Sequence, residues 1–180
     1  MPIKLRSTVK EGKKMKDITV REANTRDAKA ILDINISSWK ETYKNIFPSE
    51  FLDNLCSTEE EYNTALNNVK ENIKDHIVAK YNNKVVGFIK LGQSKKEVYS
   101  ECGEIYALYV DNEYIKKGIG KMLFNSAKSQ LKEKYNSIIV SCIKENTSND
   151  FYLKMGCKKI GETDFILNNK KYKENLYEVK

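Results

Sequence analysis

Between Glu104 and Lys121 the chain carries a β-prone run, Glu104-Ile-Tyr-Ala-Leu-Tyr-Val110, then a connector, then Lys116-Lys-Gly-Ile-Gly-Lys121 at the mouth of a predicted helix. The first amides of a helix have no internal acceptor and point outward, and the helix dipole adds about half a positive charge there. Gly118 and Gly120 allow positive φ or close approach of a ligand to the backbone. Lys116, Lys117 and Lys121 add charge at the rim. Such a turn suits an anion, above all a phosphate. Two familiar phosphate loops are excluded by one and two residues respectively. Leu123 stands where a dinucleotide-binding fingerprint needs a third glycine, and Ile115 and Met122 stand where a P-loop needs glycine and Ser/Thr. A short Gly-x-Gly turn holding a diphosphate remains, beside the plain reading of a helix start with two glycines.

Other chemistry is restricted by composition. His76 is the only histidine, which removes most histidine-based catalysis and most metal sites. The four cysteines, at 56, 102, 142 and 157, form no Cys-x-x-Cys pair. Their spacing argues against structural zinc or a disulfide framework, suits a reducing compartment, and predicts a cytoplasmic protein. A covalent acyl-cysteine has no histidine partner in view. No apolar run approaches the ~18 residues of a membrane span, and no apolar segment follows the basic start as in a signal peptide.

The elements that must position these groups follow from periodicity. Ile18 to Arg21 reads as a strand. Ala28, Ile31, Leu32, Ile36 and Trp39, with Tyr43 beyond, have helical spacing. Phe51, Leu52 and Leu55 suggest a short helix after Pro48. Ser57 and Glu60 have the form of a capping box for a third helix bearing Tyr62, Ala65, Leu66, Val69 and Ile73. Strands are predicted at 76–81 and 84–91 around Asn82-Asn83, at 104–110, at 137–143, and at 158–167 and 170–179 around Asn168-Asn169. A polar loop is expected at 95–100, a helix after the glycine turn, and a short helix over 148–155 capped by Gly156. The expected fold is α/β: a mixed, mostly antiparallel central sheet with flanking helices, in one domain over 17–180. Period two places Glu104, Tyr106, Leu108 and Val110 on one strand face.

Residues 1–16 hold six Lys and Arg against Glu11, so +5 of the net +7 lies there and +2 over the rest. They read as a basic, disordered leader. A lysine-rich arm can touch nucleic acid, but the nearly neutral remainder argues against it.

The stretch around Ile115-Lys-Lys-Gly-Ile-Gly120 resembles the acyl-CoA-binding motif of the GNAT N-acetyltransferase superfamily, a strand followed by Gln/Arg-x-x-Gly-x-Gly/Ala opening a helix. Ile115 replaces Gln or Arg, which bears on one side-chain contact and not on the amides. Trp39 with Tyr43 resembles the start of one branch. Asn146, Phe151, Tyr152 and Gly156 resemble the family's later asparagine, aromatic helix and glycine, with an Asn-to-Phe spacing one shorter than in many members and Cys157 after the glycine. The likeness runs from about Ile18 to Val179.

That resemblance implies an enzyme that transfers the acetyl group of acetyl-CoA to a primary amine of a small molecule, peptide or protein, by direct attack in a ternary complex. It implies that the amides of Lys116, Lys117, Gly118, Ile119, Gly120 and Lys121 hold the diphosphate, that the backbones of Leu108 and Val110 pair with the pantetheine, and that Asn146 binds the cofactor. An alkylammonium has a pKa near 10 and must lose a proton before it attacks, and the departing thiolate needs one. The resemblance makes Glu104 the candidate base, directly or through water, and Tyr152 the candidate acid. Trp39, Tyr43 and Tyr106 would line the acceptor pocket, where ring faces suit a cation. A non-catalytic acyl-CoA sensor of the same fold is the alternative, and C-terminal strand exchange leaves a homodimer open.

Overall fold

The computed structural model describes residues 18–180, so the expected leader at 1–16 lies outside the described residues. Among these residues seven strands form one sheet: β1 (Ile18–Glu22), β2 (His76–Tyr81), β3 (Lys84–Gln93), β4 (Gly103–Val110), β5 (Ile138–Ile143), β6 (Lys158–Leu167) and β7 (Lys170–Glu178). Their order is β1-β2-β3-β4-β5-β7-β6, and only the β4–β5 pair is parallel. Hairpin turns explain the antiparallel pairs. Asn82 and Asn83 (φ 47° and 64°) and Asn168 and Asn169 (φ 47° and 60°) all take left-handed φ. A tight two-residue hairpin turn requires this at both central positions, and asparagine tolerates it better than most residues.

Among the described residues five α-helices cover the sheet: α1 (Ala28–Thr42), α2 (Ser49–Asp53), α3 (Glu59–Glu71), α4 (Ile119–Lys132) and α5 (Asn149–Lys154). One face of the sheet packs on α4, whose Ile119, Leu123, Phe124, Ala127 and Leu131 are buried against Ile77, Ile89, Ile105 and Val140. Burying a side chain the size of Phe124 or Leu123 contributes about 1.5–3 kcal/mol. The other face packs on α1 through Ile31 and Ile34, which meet Val78, Val85 and Phe88. A third cluster joins Tyr43, Phe47 and Leu52 to Ile143 and the β6–β7 hairpin.

Two local expectations shift. The buried stripe of α1 includes Ile34 and Ser38, while Ile36 is only half-buried, because the helix turns Ile31 and Ile34 toward β2 and β3. The capping box of α3 is Thr58 with Glu61, not Ser57 with Glu60. Thr58 Oγ1 accepts from Glu61 N–H and Glu61 Oε2 accepts from Thr58 N–H, both at 3.2 Å. Threonine and glutamate satisfy the same box geometry one residue later. The polar loop contains a single 3-10 turn at Glu97–Tyr99.

Candidate active site

The site begins where β4 and β5 part. They pair only from Gly103 to Ile105 against Ile138 to Val140. Tyr106 is an extra residue opposite β3, since Ile105 faces Leu91 while Ala107 faces Lys90. Such a bulge bends its strand and raises the local twist, and here it coincides with the divergence. It also breaks the expected alternation. Ile105, Leu108 and Val110 pack on the α4 side, whereas Ala107 and Tyr109 pack on the α1 side. Glu104 therefore shares a face with Ala107 and Tyr109, not with Leu108 and Val110.

Beyond the split, one edge of β4 is open. Asp111 N–H donates to Val86 C=O on β3 at 2.9 Å. Strand alternation then turns the amide and carbonyl of Leu108 and Val110 the other way, toward the gap left by β5. The gap is a cleft of about 720 Å³ walled by Leu108, Val110, Ile115, Asn146, Phe151 and Tyr152, and closed at one end by the glycine turn.

In that turn Lys116 (φ 61°) and Gly118 (φ 84°) are left-handed. Gly118 caps α4 with no side-chain bond to the first-turn amides, and the first internal helix bond runs from Met122 N–H to Gly118 C=O. The amides of Ile119, Gly120 and Lys121 thus face the cleft without intrahelical partners. A Cβ on Gly120 would lie 3.5 Å from Phe151 and 4.0 Å from Val110, in the cleft itself. Lys116 and Lys121 line the cleft. Lys117 turns away, donating to Glu113 C=O at 2.6 Å with its ammonium 4.7 Å from the Tyr114 ring centre.

A smaller cavity of about 150 Å³ opens from the α1 side. Trp39, Tyr43, Phe47, Tyr106 and Phe165 give it aromatic walls, and Cys142, Ser141 and Glu174 complete it. Tyr43 stacks on Phe47 at 4.6 Å between ring centres, and Trp39 tilts against Tyr43 at 4.9 Å. The three expected acceptor residues, Trp39, Tyr43 and Tyr106, are therefore brought together. The Tyr106 hydroxyl donates to Gln93 C=O, and Lys95 sits 5.6 Å over its ring. Cavity and cleft share walls at Thr42, Leu108, Tyr109, Asn146, Ser148 and Tyr152. Burial pushes the Tyr152 phenol far above its ordinary range, so it keeps its proton. Asn146 Oδ1 accepts from Ser148 N–H at 2.8 Å, which fixes the side chain at the junction.

Glu104 lines neither space. It is 4% exposed, with Lys96 Nζ 2.6 Å from Oε1 and Ser94 Oγ donating to Oε2 at 2.8 Å. The carboxylate in the cavity wall is Glu174 on β7, which the sequence reading did not single out. Glu174 lies opposite both Ile143 and Thr163, and Thr163 Oγ1 donates to Oε2 at 3.3 Å. Burial raises its pKa, against the lowering pull of Lys96 and the Thr163 bond.

Asn149 was also missed. Its amide donates to the carbonyls of Ile143 (2.9 Å) and Asn146 (2.6 Å), and its Oδ1 accepts from Asn175 (2.9 Å) and Tyr177 (2.7 Å). One side chain thereby ties β5, α5 and β7 together behind Tyr152. Nothing in spacing marks it, because an asparagine in the first turn of a helix ordinarily reads as a cap.

The remaining reactive types are quiet. Burial pushes the Cys142 thiol up to about 12 and Cys157 to about 11, so neither is a thiolate near neutrality. His76 is buried, its Nδ1 2.9 Å from Asn72 C=O, and burial lowers its pKa. Among the described residues no helix is long and apolar enough to cross a membrane, and no cluster of metal ligands occurs.

Comparison with known proteins supplies a family match and matches in fold. Residues 17–172 match the family described as "Acetyltransferase (GNAT) domain". An uncharacterized N-acetyltransferase of Bacillus subtilis, YuaI, is 30% identical over 159 residues, 87% of this chain and 90% of that protein. A spermidine N(1)-acetyltransferase of Thermoplasma acidophilum is 26% identical over 172 residues, 85% of this chain and 97% of its own. In fold, the chain resembles the PaiA N-acetyltransferase of Thermoplasma acidophilum in complex with coenzyme A. That likeness has a TM-score of 0.64 at 22% identity and covers 88% of this chain and 98% of the other. It also resembles yncA of Salmonella typhimurium with acetyl-CoA, with a TM-score of 0.68 at 15% identity, over 91% and 93%.

Proposed function

The chain belongs to the GNAT acetyltransferase family, and on that premise we propose that it moves the acetyl group of acetyl-CoA to a primary amine held in the aromatic cavity, by direct attack in a ternary complex. The observation that carries this reading is the junction: a long cleft and a small aromatic cavity meet at Leu108, Tyr109, Asn146 and Tyr152.

The cleft fits the acyl donor. A diphosphate needs several N–H donors near a positive dipole end, and Ile119, Gly120 and Lys121 supply them, with Lys116 and Lys121 beside them. A pantetheine arm carries amides, and the outward-turned backbones of Leu108 and Val110 would pair with them like an added strand. Gly120 keeps the cleft open where a side chain would fill it. Asn146 would contact the arm at the junction. When bound, the donor supplies an activated thioester carbonyl.

The chain's own residues then hold, orient and move protons. Tyr152, protonated through the neutral range, donates a hydrogen bond to the departing sulfur. Trp39, Tyr43 and Tyr106 pack the acceptor's carbon body and exclude water. Glu104 acts as a positioning residue: it neutralises Lys96 and holds it back from the cavity. The spermidine-acetylating relative supports an alkylamine as acceptor.

The test mixes the purified protein with acetyl-CoA and a panel of amines while thiol release is followed. Release that depends on both protein and amine is expected. Release at the uncatalysed rate across the panel overturns the reading.

A further inference from the structure

The acceptor cavity contains one carboxylate with no counterion. Among the described residues Glu174 forms no ion pair, and its one hydrogen bond comes from the neutral Thr163 hydroxyl. Lys96, close enough to pull on Glu174, already has Glu104 as its partner at 2.6 Å. The three groups together carry one net negative charge. On the same sheet face Ser141 Oγ, buried in the cavity wall, has no hydrogen-bond partner among the described residues.

An uncompensated carboxylate half-removed from water is costly, and aromatic walls beside it attract cations through their ring faces. We propose that Glu174 receives the acceptor as an alkylammonium ion and takes its proton, so that this cavity selects small monocationic primary amines and rejects amines that carry their own carboxylate. This rests on the transfer reading above. Two N–H bonds break overall: the first proton passes to Glu174, where an O–H bond forms, and the freed nitrogen pair attacks the thioester carbonyl. As the tetrahedral adduct collapses, the C–S bond breaks and its electrons leave with the sulfur; Tyr152 gives that sulfur its proton and is reprotonated by the second nitrogen proton, and Glu174 later returns its proton to solvent.

The groups facing Glu174 set the pH response. They are Tyr43 from α1, Lys96 from the loop before the 3-10 turn, Glu104 from β4, Cys142 from β5 and Thr163 from β6. Tyr43 and Cys142 stay neutral because burial raises both. Glu174 therefore titrates against one opposed ion pair and one hydroxyl. Burial raises its pKa from the ordinary glutamate value, so activity should fall on the acid side earlier than for an exposed glutamate.

The experiment compares wild type, Glu174→Gln and Thr163→Val, with butylamine and phenethylamine as acceptors, and with spermidine (polycationic) and phenylalanine (carboxylate-bearing) as disfavoured controls. Coenzyme A affinity and thermal midpoint are measured alongside. Wild type is expected to give a bell-shaped kcat/KM profile and to prefer phenethylamine over phenylalanine at least 100-fold. Glu174→Gln should lose about 100-fold or more at pH 7. Its rate should rise steadily with pH, since only amine already neutral can react, while coenzyme A binding stays within twofold. Thr163→Val, which removes a bond to the charged form, should move the acid limb to higher pH. An active wild type whose Glu174→Gln and Thr163→Val variants keep its rate and acid limb, or one that uses phenylalanine as well as phenethylamine, overturns this inference and leaves acetyl transfer standing. A wild type that binds coenzyme A but acetylates no amine overturns the transfer reading, and this inference with it.

Discussion

Lys96 Nζ lies 2.6 Å from Glu104 Oε1, and neither residue belongs to the wall of the aromatic cavity. Neutralising Glu104 would release Lys96 toward Glu174, where it would compete with an incoming ammonium. Glu104→Gln is therefore expected to raise KM for the amine about tenfold with a smaller fall in kcat. Stability should drop by about 1–2 kcal/mol, below the range for a fully buried pair because Lys96 is partly exposed. A kcat loss of 100-fold with unchanged KM and a flattened acid limb would instead make Glu104 the base. Steady-state kinetics over a pH series separates the two.

Gly120 should control the donor alone. Gly120→Val places branched carbons between Phe151 and Val110, in the cleft that the donor would occupy. Coenzyme A affinity measured by calorimetry should weaken at least 30-fold. Gly118→Ala acts differently: its φ of 84° costs an L-residue roughly 1–2 kcal/mol, so the main change should be a lower unfolding midpoint.

Tyr152 touches the sulfur in this account and binds little else. Tyr152→Phe should lower kcat 10- to 100-fold with coenzyme A affinity within threefold, read from single-turnover rates and titration. Its partners Phe124 and Phe151 keep the ring packed in the variant, so the fold should hold.

Cys142 is in the cavity wall yet has its thiol pushed up to about 12. Cys142→Ser should keep at least a third of wild-type kcat, and iodoacetamide at pH 8 should leave activity largely intact. Loss of all turnover with a trapped acetyl-cysteine seen by mass spectrometry would put a covalent step in place of direct attack.

Much of this was readable from the chain. Hairpins at Asn82-Asn83 and Asn168-Asn169 and the turn before α4 follow from local rules of φ and capping, whereas the aromatic set Trp39, Tyr43 and Tyr106 was named only through the family resemblance. What was hidden depends on pairing between distant strands. The bulge at Tyr106 arises only when β4 meets β3, and it moved Glu104 to the other face. Glu174 reads as one more charged residue in a polar strand. It becomes part of the site because β7 inserts between β5 and β6, setting it opposite Ile143 and beside Thr163. Asn149 likewise owes its role to backbone carbonyls at and after β5 and to the Asn175 amide and Tyr177 hydroxyl of β7.

The central claim is that an acetyl group crosses from the cleft to the cavity at Tyr152 and Asn146. Its most direct test measures thiol release and acetylated amine together in one reaction of wild-type protein with acetyl-CoA and phenethylamine. The account predicts one acetylamine for each thiol released, at a rate that saturates in both substrates. Coenzyme A binding with no acetylamine formed from any amine tried would contradict it.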